Sequence, residues 1–148
     1  MLRKGMRWWP PFLGAGIRVR SLADDFRDVV VELRLGRLNR NYVGTHFGGS
    51  LYAMCDPFYM IMLLHNLGAD YLVWDQAGRI EYLAPGRGTV SAHFTLSEER
   101  IAQIRAQAAG GERVLPQFEV DVQDEAGDLV AKVHKTLYIR LKPQRRPA

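Results

Sequence analysis

A chain of 148 residues with 47% hydrophobic and 24% charged side chains has the makeup of a domain that buries a core, which excludes a disordered or low-complexity polymer. Its single cysteine, Cys55, excludes an intrachain disulfide framework and sets the expectation of a reducing, cytoplasmic location. The net charge of +4 includes basic residues near both ends, Arg3, Lys4 and Arg7, then Arg140, Lys142, Arg145 and Arg146. These read as solvated, frayed termini, and with no nucleic-acid motif beside them no nucleic-acid partner is expected.

Residues 1–148 are expected to form one domain, with 1–14 as an N-terminal extension and 142–148 as a basic tail. The start is basic, as a secretory signal is, but Pro10 and Pro11 break the apolar stretch such a signal needs, so it is read as part of the fold. Strands are predicted over Gly16–Arg20 and Asp28–Leu35, the second alternating Val29, Val31, Leu33 and Leu35 with Val30, Glu32 and Arg34. A long central helix follows, opened by Gly48 and Gly49 and stopped by Gly68. Its apolar part, Leu51–Leu67, is interrupted by Asp56, Pro57, His65 and Asn66 and falls short of the ~20 residues of a membrane span, so no stable membrane insertion is expected. Pro57 removes a helical hydrogen bond and should kink or open the helix beside Asp56.

Tyr71–Trp74, Gly78–Leu83 and Thr89–Leu96 read as further strands. Ser97–Ala109 reads as a short surface helix with a serine cap and early acids. Gln117–Gln123 and Leu129–Leu141 complete the set, joined by a turn at Asp124–Asp128. In the last strand Lys135 falls by parity on the apolar face of Ala131, Val133, Leu137, Ile139 and Leu141. It is expected either to snorkel or sit at a bulge, or to meet an anionic ligand. Strands before and after one apolar helix imply an α+β arrangement, an antiparallel sheet curled around the helix. The uncovered sheet edge and helix flank point to a homodimer or a dimer of dimers.

The chemistry-bearing residues cluster around that helix. Asp56 is the one carboxylate in a nearly uncharged segment, and an unpaired buried carboxylate costs several kcal/mol, which makes it a candidate catalytic group. The alternative is an acid satisfied by backbone donors freed at Pro57 or by an arginine. Gly48 and Gly49 leave the helix N-terminal amides open to a carbonyl oxygen, or else simply permit a tight turn. Asp56 lies about 12 Å along the helix from Gly48 at ~1.5 Å per residue, so it cannot serve its own helix N-terminus. The spacing favours a composite site in a homodimer, with the acid of one subunit brought to the helix N-terminus of the other. Ser50 lacks the spacing of a nucleophile elbow, and His46, His65, His93 and His134 are too scattered for a metal cluster, so no metal is expected.

The segment Asn41-x-x-Gly44-Thr45-x-x-Gly48-Gly49, with Asp56 seven residues after Gly49, resembles the active-site segment of hotdog-fold acyl-CoA thioesterases of the phenylacetate-pathway type. Tyr82-Leu-Ala-Pro85-Gly-Arg-Gly88 is similar to the Tyr-Leu-x-Pro strand end of that superfamily. The Trp9-Pro-Pro-Phe-Leu-Gly-Ala-Gly16 and Phe47–Pro57 segments look like those of a branch known as a domain of unknown function. The resemblance implies a hotdog fold. It also implies hydrolysis of an acyl-CoA or acyl-carrier-protein thioester, with coenzyme A as part of the substrate and no other cofactor. Asp56 would be general base or nucleophile, Asn41 of the opposite subunit would place water or substrate, and the Gly48 and Gly49 amides would polarise the carbonyl. Thr45, His46, Phe47, Tyr82 and Arg87 would bind substrate; Arg79 and Arg87 flank the Tyr82 strand and would either meet the phosphates of coenzyme A or stand as solvated surface arginines. The chain departs from the pattern at Phe47, where such thioesterases carry histidine, with His46 one position earlier. A non-catalytic acyl-binding protein and an enoyl-thioester hydratase or dehydratase are the alternative readings.

Overall fold

Alternation of apolar residues in the β-rich segments sets the sheet, because every second side chain of a strand points to the same face. The computed structural model describes residues 5–6 and 8–147. Its strands are β1 (Ile17–Leu22), β2 (Asp28–Arg34), β3 (Tyr71–Tyr82), β4 (Thr89–Thr95), β5 (Gln117–Gln123) and β6 (Leu129–Leu141). They form one antiparallel sheet in the order β1-β2-β4-β5-β6-β3. Val29, Val31 and Leu33 of β2, Val90, Ala92 and Phe94 of β4, and Val133, Leu137 and Ile139 of β6 all point into the core.

The central segment lies against that face, in two pieces. Helix α2 (Gly48–Ala53) and helix α3 (Phe58–Leu67) are separated by a turn at 54–57. Pro57 has no N–H to donate and the chain tightens before it, with Cys55 N–H donating to Tyr52 O at 2.9 Å. The expected opening beside Asp56 is therefore a full interruption of the helix. Met54, Cys55, Phe58, Met62 and Leu63 fill the space between this segment and the sheet. Among the described residues no helix is long and apolar enough to cross a membrane.

The chain leaves α3 through Gly68, at φ 90° and ψ −176°, a conformation that side chains beyond glycine rarely adopt. Nothing lies within 4 Å of where its Cβ would stand, so backbone strain alone is at issue. Gly68→Ala should cost about 1–3 kcal/mol, read as a lower thermal midpoint with an unchanged fold.

Three features differ from expectation. Helix α1 (Pro10–Ala15) starts on its proline, where a missing N–H costs nothing, and buries Phe12 against Phe58, with ring centroids 6.0 Å apart. The two strands expected over Tyr71–Trp74 and Gly78–Leu83 are one, β3, carrying a bulge between Asp75 and Ala77. The described part of the basic tail is not frayed: Pro143–Arg145 form a short 3₁₀ turn, and Arg145 Nε donates to Asp70 at 2.9 Å, while Arg3, Lys4 and Arg7 lie outside the described residues. Helix α4 (Glu98–Ala108) is capped by Ser97, whose hydroxyl accepts from Arg100 N–H, and packs through Ile101, Ile104 and Ala108. Among the described residues β1 and β3 are the sheet edges, and β3 pairs only with β6.

Candidate functional site

The loop entering α2 is shaped by Asn41. Its Oδ1 accepts from the N–H groups of Val43 and Thr45, and its Nδ2 donates to Thr45 Oγ1 and the His46 carbonyl, at 2.8–3.2 Å. Gly44, at φ 80°, makes the turn inside that loop. His46 locks the loop onto the turn after β3: its N–H donates to Gly86 O, and its ring Nε2 lies 3.0 Å from Gly88 O. A carbonyl only accepts, so Nε2 carries the proton and Nδ1 is left as a lone pair, buried and without a partner among the described residues. Burial lowers the affinity of this ring for a second proton, against a smaller opposing effect of the Gly88 carbonyl, and His46 is neutral.

Phe47 then turns the chain into α2, and a cavity of about 570 Å³ opens there. Its walls include Thr45, His46, Phe47, Gly48, Gly49 and Tyr82. A Cβ on Gly48 would come within 2.8 Å of the Tyr82 hydroxyl, and one on Gly49 within 2.5 Å of the Phe47 ring. The glycine pair is what lets both aromatic rings close over the start of α2, whose first amides have no helical partner. Phe47, 57% exposed, forms part of the cavity rim rather than its floor.

Asp56 lies elsewhere, at the interruption between α2 and α3, and does not line this cavity. Its side chain is 48% exposed, and its Oδ1 accepts from Lys135 Nζ at 2.7 Å. Lys135 is 1% exposed and neither snorkels nor sits at a bulge in its own strand. Its ammonium also lies 3.0 Å from Asp75 Oδ1, off the line of a good hydrogen bond, and 3.4 Å from the Tyr52 hydroxyl. Burial opposes the lysine's charge, but the two carboxylates outweigh it and hold its pKa above the usual value. Burial pushes the Asp75 carboxyl up, against the pull of Lys135.

Of the residues singled out in the sequence, Asn41, Thr45, His46, Phe47, Gly48, Gly49 and Tyr82 meet around one cavity. Asn41 has all four of its side-chain hydrogen bonds inside the loop, so here it builds the wall rather than offering a free group to water. Arg87 is exposed on the turn whose Gly86 lines the cavity, while Arg79 is tied to Glu81 and His134 on the outer face. The counter-ion of Asp56 is a lysine, not an arginine. Tyr52 and Asp75, which the sequence reading left out of the site, stand on either side of it. Among the described residues no three His, Cys, Asp or Glu side chains converge as a metal site would require.

No curated protein matches the chain. It is similar to a solved structure from Pseudomonas aeruginosa, a protein of unknown function described as a probable thioesterase, with 20% identity, a TM-score of 0.76, and coverage of 86% of this chain and 85% of that one. A thioesterase from Haemophilus influenzae superposes with 14% identity and a TM-score of 0.69, over 95% of this chain and 88% of that one. A protein of unknown function from Chlorobaculum tepidum gives 18% identity and a TM-score of 0.74, over 95% and 93%. At these identities the likeness carries the fold alone, the hotdog fold. Residues 1–139 match the model of the family described as a domain of unknown function, DUF4442, and the chain belongs to that family.

Proposed function

We propose that the protein hydrolyses an acyl thioester, carried by coenzyme A or an acyl carrier protein, at a site shared between two copies of the chain. The observation that carries this reading is the separation of two half-sites. The cavity with the Gly48 and Gly49 amides is at the start of α2, while the half-exposed Asp56 faces out at the interruption beyond it, on the side of Lys135, Asp75 and the edge strand β3. A second copy covering that edge would bring the Asp56 of one chain to the glycine amides of the other.

In that arrangement the thioester carbonyl oxygen accepts from the amides at the start of α2, and the acyl chain occupies the cavity beside Leu51, Tyr82 and Leu83. The Asp56 carboxylate takes a proton from water as the oxygen attacks the carbonyl carbon. The tetrahedral oxyanion then collapses, the carbon–sulfur bond breaks, and the thiolate leaves with the proton returned from Asp56. Carboxylate, water and amides suffice for these steps, and no metal or redox cofactor is required. Arg87, exposed on the turn beside the cavity, would meet the phosphates of the carrier.

The test is thiol release by the purified protein across short, medium, long and aromatic acyl-CoAs. Turnover on one class above the uncatalysed rate is expected. Silence across the panel with measurable binding of acyl-CoA would replace hydrolysis with acyl binding, a reading that Phe47 in the usual histidine position favours.

A further inference from the structure

The buried lysine is unlike the rest of its strand. Lys135 stands in line with Val133, Leu137 and Ile139 on the inner face of β6, where an apolar side chain would pack at no electrostatic cost. Its ammonium faces three groups, donating to Asp56 and the Tyr52 hydroxyl and lying in ion-pair contact with Asp75. Three separate irregularities of the fold make this possible. The interruption at Pro57 brings Asp56 to the lysine. β3 continues past Trp74, which turns Asp75 inward opposite Leu137 before the bulge. Gly78, opposite Lys135, leaves the space Tyr52 occupies, since a Cβ there would lie 1.8 Å from the Tyr52 oxygen.

Asp75 alone would neutralise the lysine. The second carboxylate, Asp56, is nonetheless the closer one, and it is the more exposed of the two at 48% against 26%. Resting on the reading of Asp56 as the catalytic base, we infer that Lys135 is its positioning residue: it grips Oδ1, leaves Oδ2 as the reacting oxygen, and with Asp75 sets the charge of the pair. Two carboxylates around one ammonium leave the cluster one negative charge, carried on the exposed side. The Cys55 thiol beside it is pushed far up by burial and contributes no charge. Tyr52 completes the set of groups facing the cation.

The experiment compares the full-length wild type with Lys135→Met and Asp75→Asn in two readouts. One is the pH dependence of kcat and KM. The other is the titration of the aspartate carboxyl carbons by NMR, which needs no turnover. For Lys135→Met, kcat is expected to fall about 10²-fold with KM nearly unchanged, as misplacement of a reacting group does. Its acid limb and the cluster's carboxyl titration should move to higher pH, because without the cation the charge of one carboxylate opposes ionisation of the other. Asp75→Asn should move the acid limb the opposite way, since the whole lysine charge then serves one carboxylate. If Lys135→Met does not fold, Asp75→Asn decides, and an unmoved acid limb overturns the inference. A folded Lys135→Met with unchanged carboxyl titration, or with KM raised and kcat intact, overturns it as well. A wild type without thioesterase activity sinks the functional reading, and in that case a carboxyl titration unmoved in both variants separately overturns the lysine's hold on the pair.

Discussion

Asp56→Asn is expected to lower thioester turnover by about 10²–10⁴-fold, the usual contribution of a positioned general base, while the protein stays folded. That range corresponds to roughly 3–5 kcal/mol of transition-state stabilisation. The asparagine keeps an oxygen that can still accept from Lys135, so the turn at 54–57 has no reason to move. Lys135 also keeps Asp75 at 3.0 Å, so no bare buried charge is created. The stability cost should therefore stay near 1–2 kcal/mol, the difference between a charged and a neutral acceptor. What is lost is the ability to take a proton from water. Thermal melting and steady-state thiol release on the same sample check both halves. A variant within threefold of wild type on the preferred substrate would remove Asp56 from the chemistry.

The parts of the fold legible in the sequence are those governed by short-range periodicity. Val29, Val31 and Leu33, or Val90, Ala92 and Phe94, reveal their face because a strand's period of two needs no tertiary information. Gly68 and Pro57 act through backbone geometry that holds in any context, so the helix stop and the interruption were readable. Parity also put Lys135 on the inner face of β6. Its partner Asp75 was hidden because the strand signal stops at Trp74, and only the pairing with β6 carries β3 through the bulge. The same long-range pairing explains Tyr52: its place beside the lysine depends on Gly78, twenty-six residues away in the chain. Helix α1 was missed for a different reason. Two prolines and two tryptophans carry little helical signal, and Phe12 is fixed by Phe58 rather than by its neighbours. Asn41 was legible as a site residue by resemblance, but the way it spends its four hydrogen bonds required the loop's closure onto itself.

Phe58→Ala is expected to give the largest loss of stability, about 3–5 kcal/mol, against a typical total of 5–15 kcal/mol. Phe58 is 2% exposed, and its ring lies 5.1 Å from that of Phe94 and 6.0 Å from that of Phe12. One truncation therefore opens a cavity between α3, the sheet and α1 at once. At roughly 2–4 °C per kcal/mol for a domain of this size, the thermal midpoint should fall by on the order of 10 °C. Phe58→Leu separates the causes, because it refills most of the volume without the aromatic contacts and should cost about 1.5 kcal/mol or less if volume dominates. The position also bears on function. Phe58 begins α3 directly after the turn that presents Asp56, and its packing holds that turn from the core side while Lys135 holds it from the sheet. Well below its melting temperature, Phe58→Ala should consequently lose turnover beyond what its folded fraction accounts for. Activity that simply tracks the folded fraction would show that Lys135 alone fixes the acid.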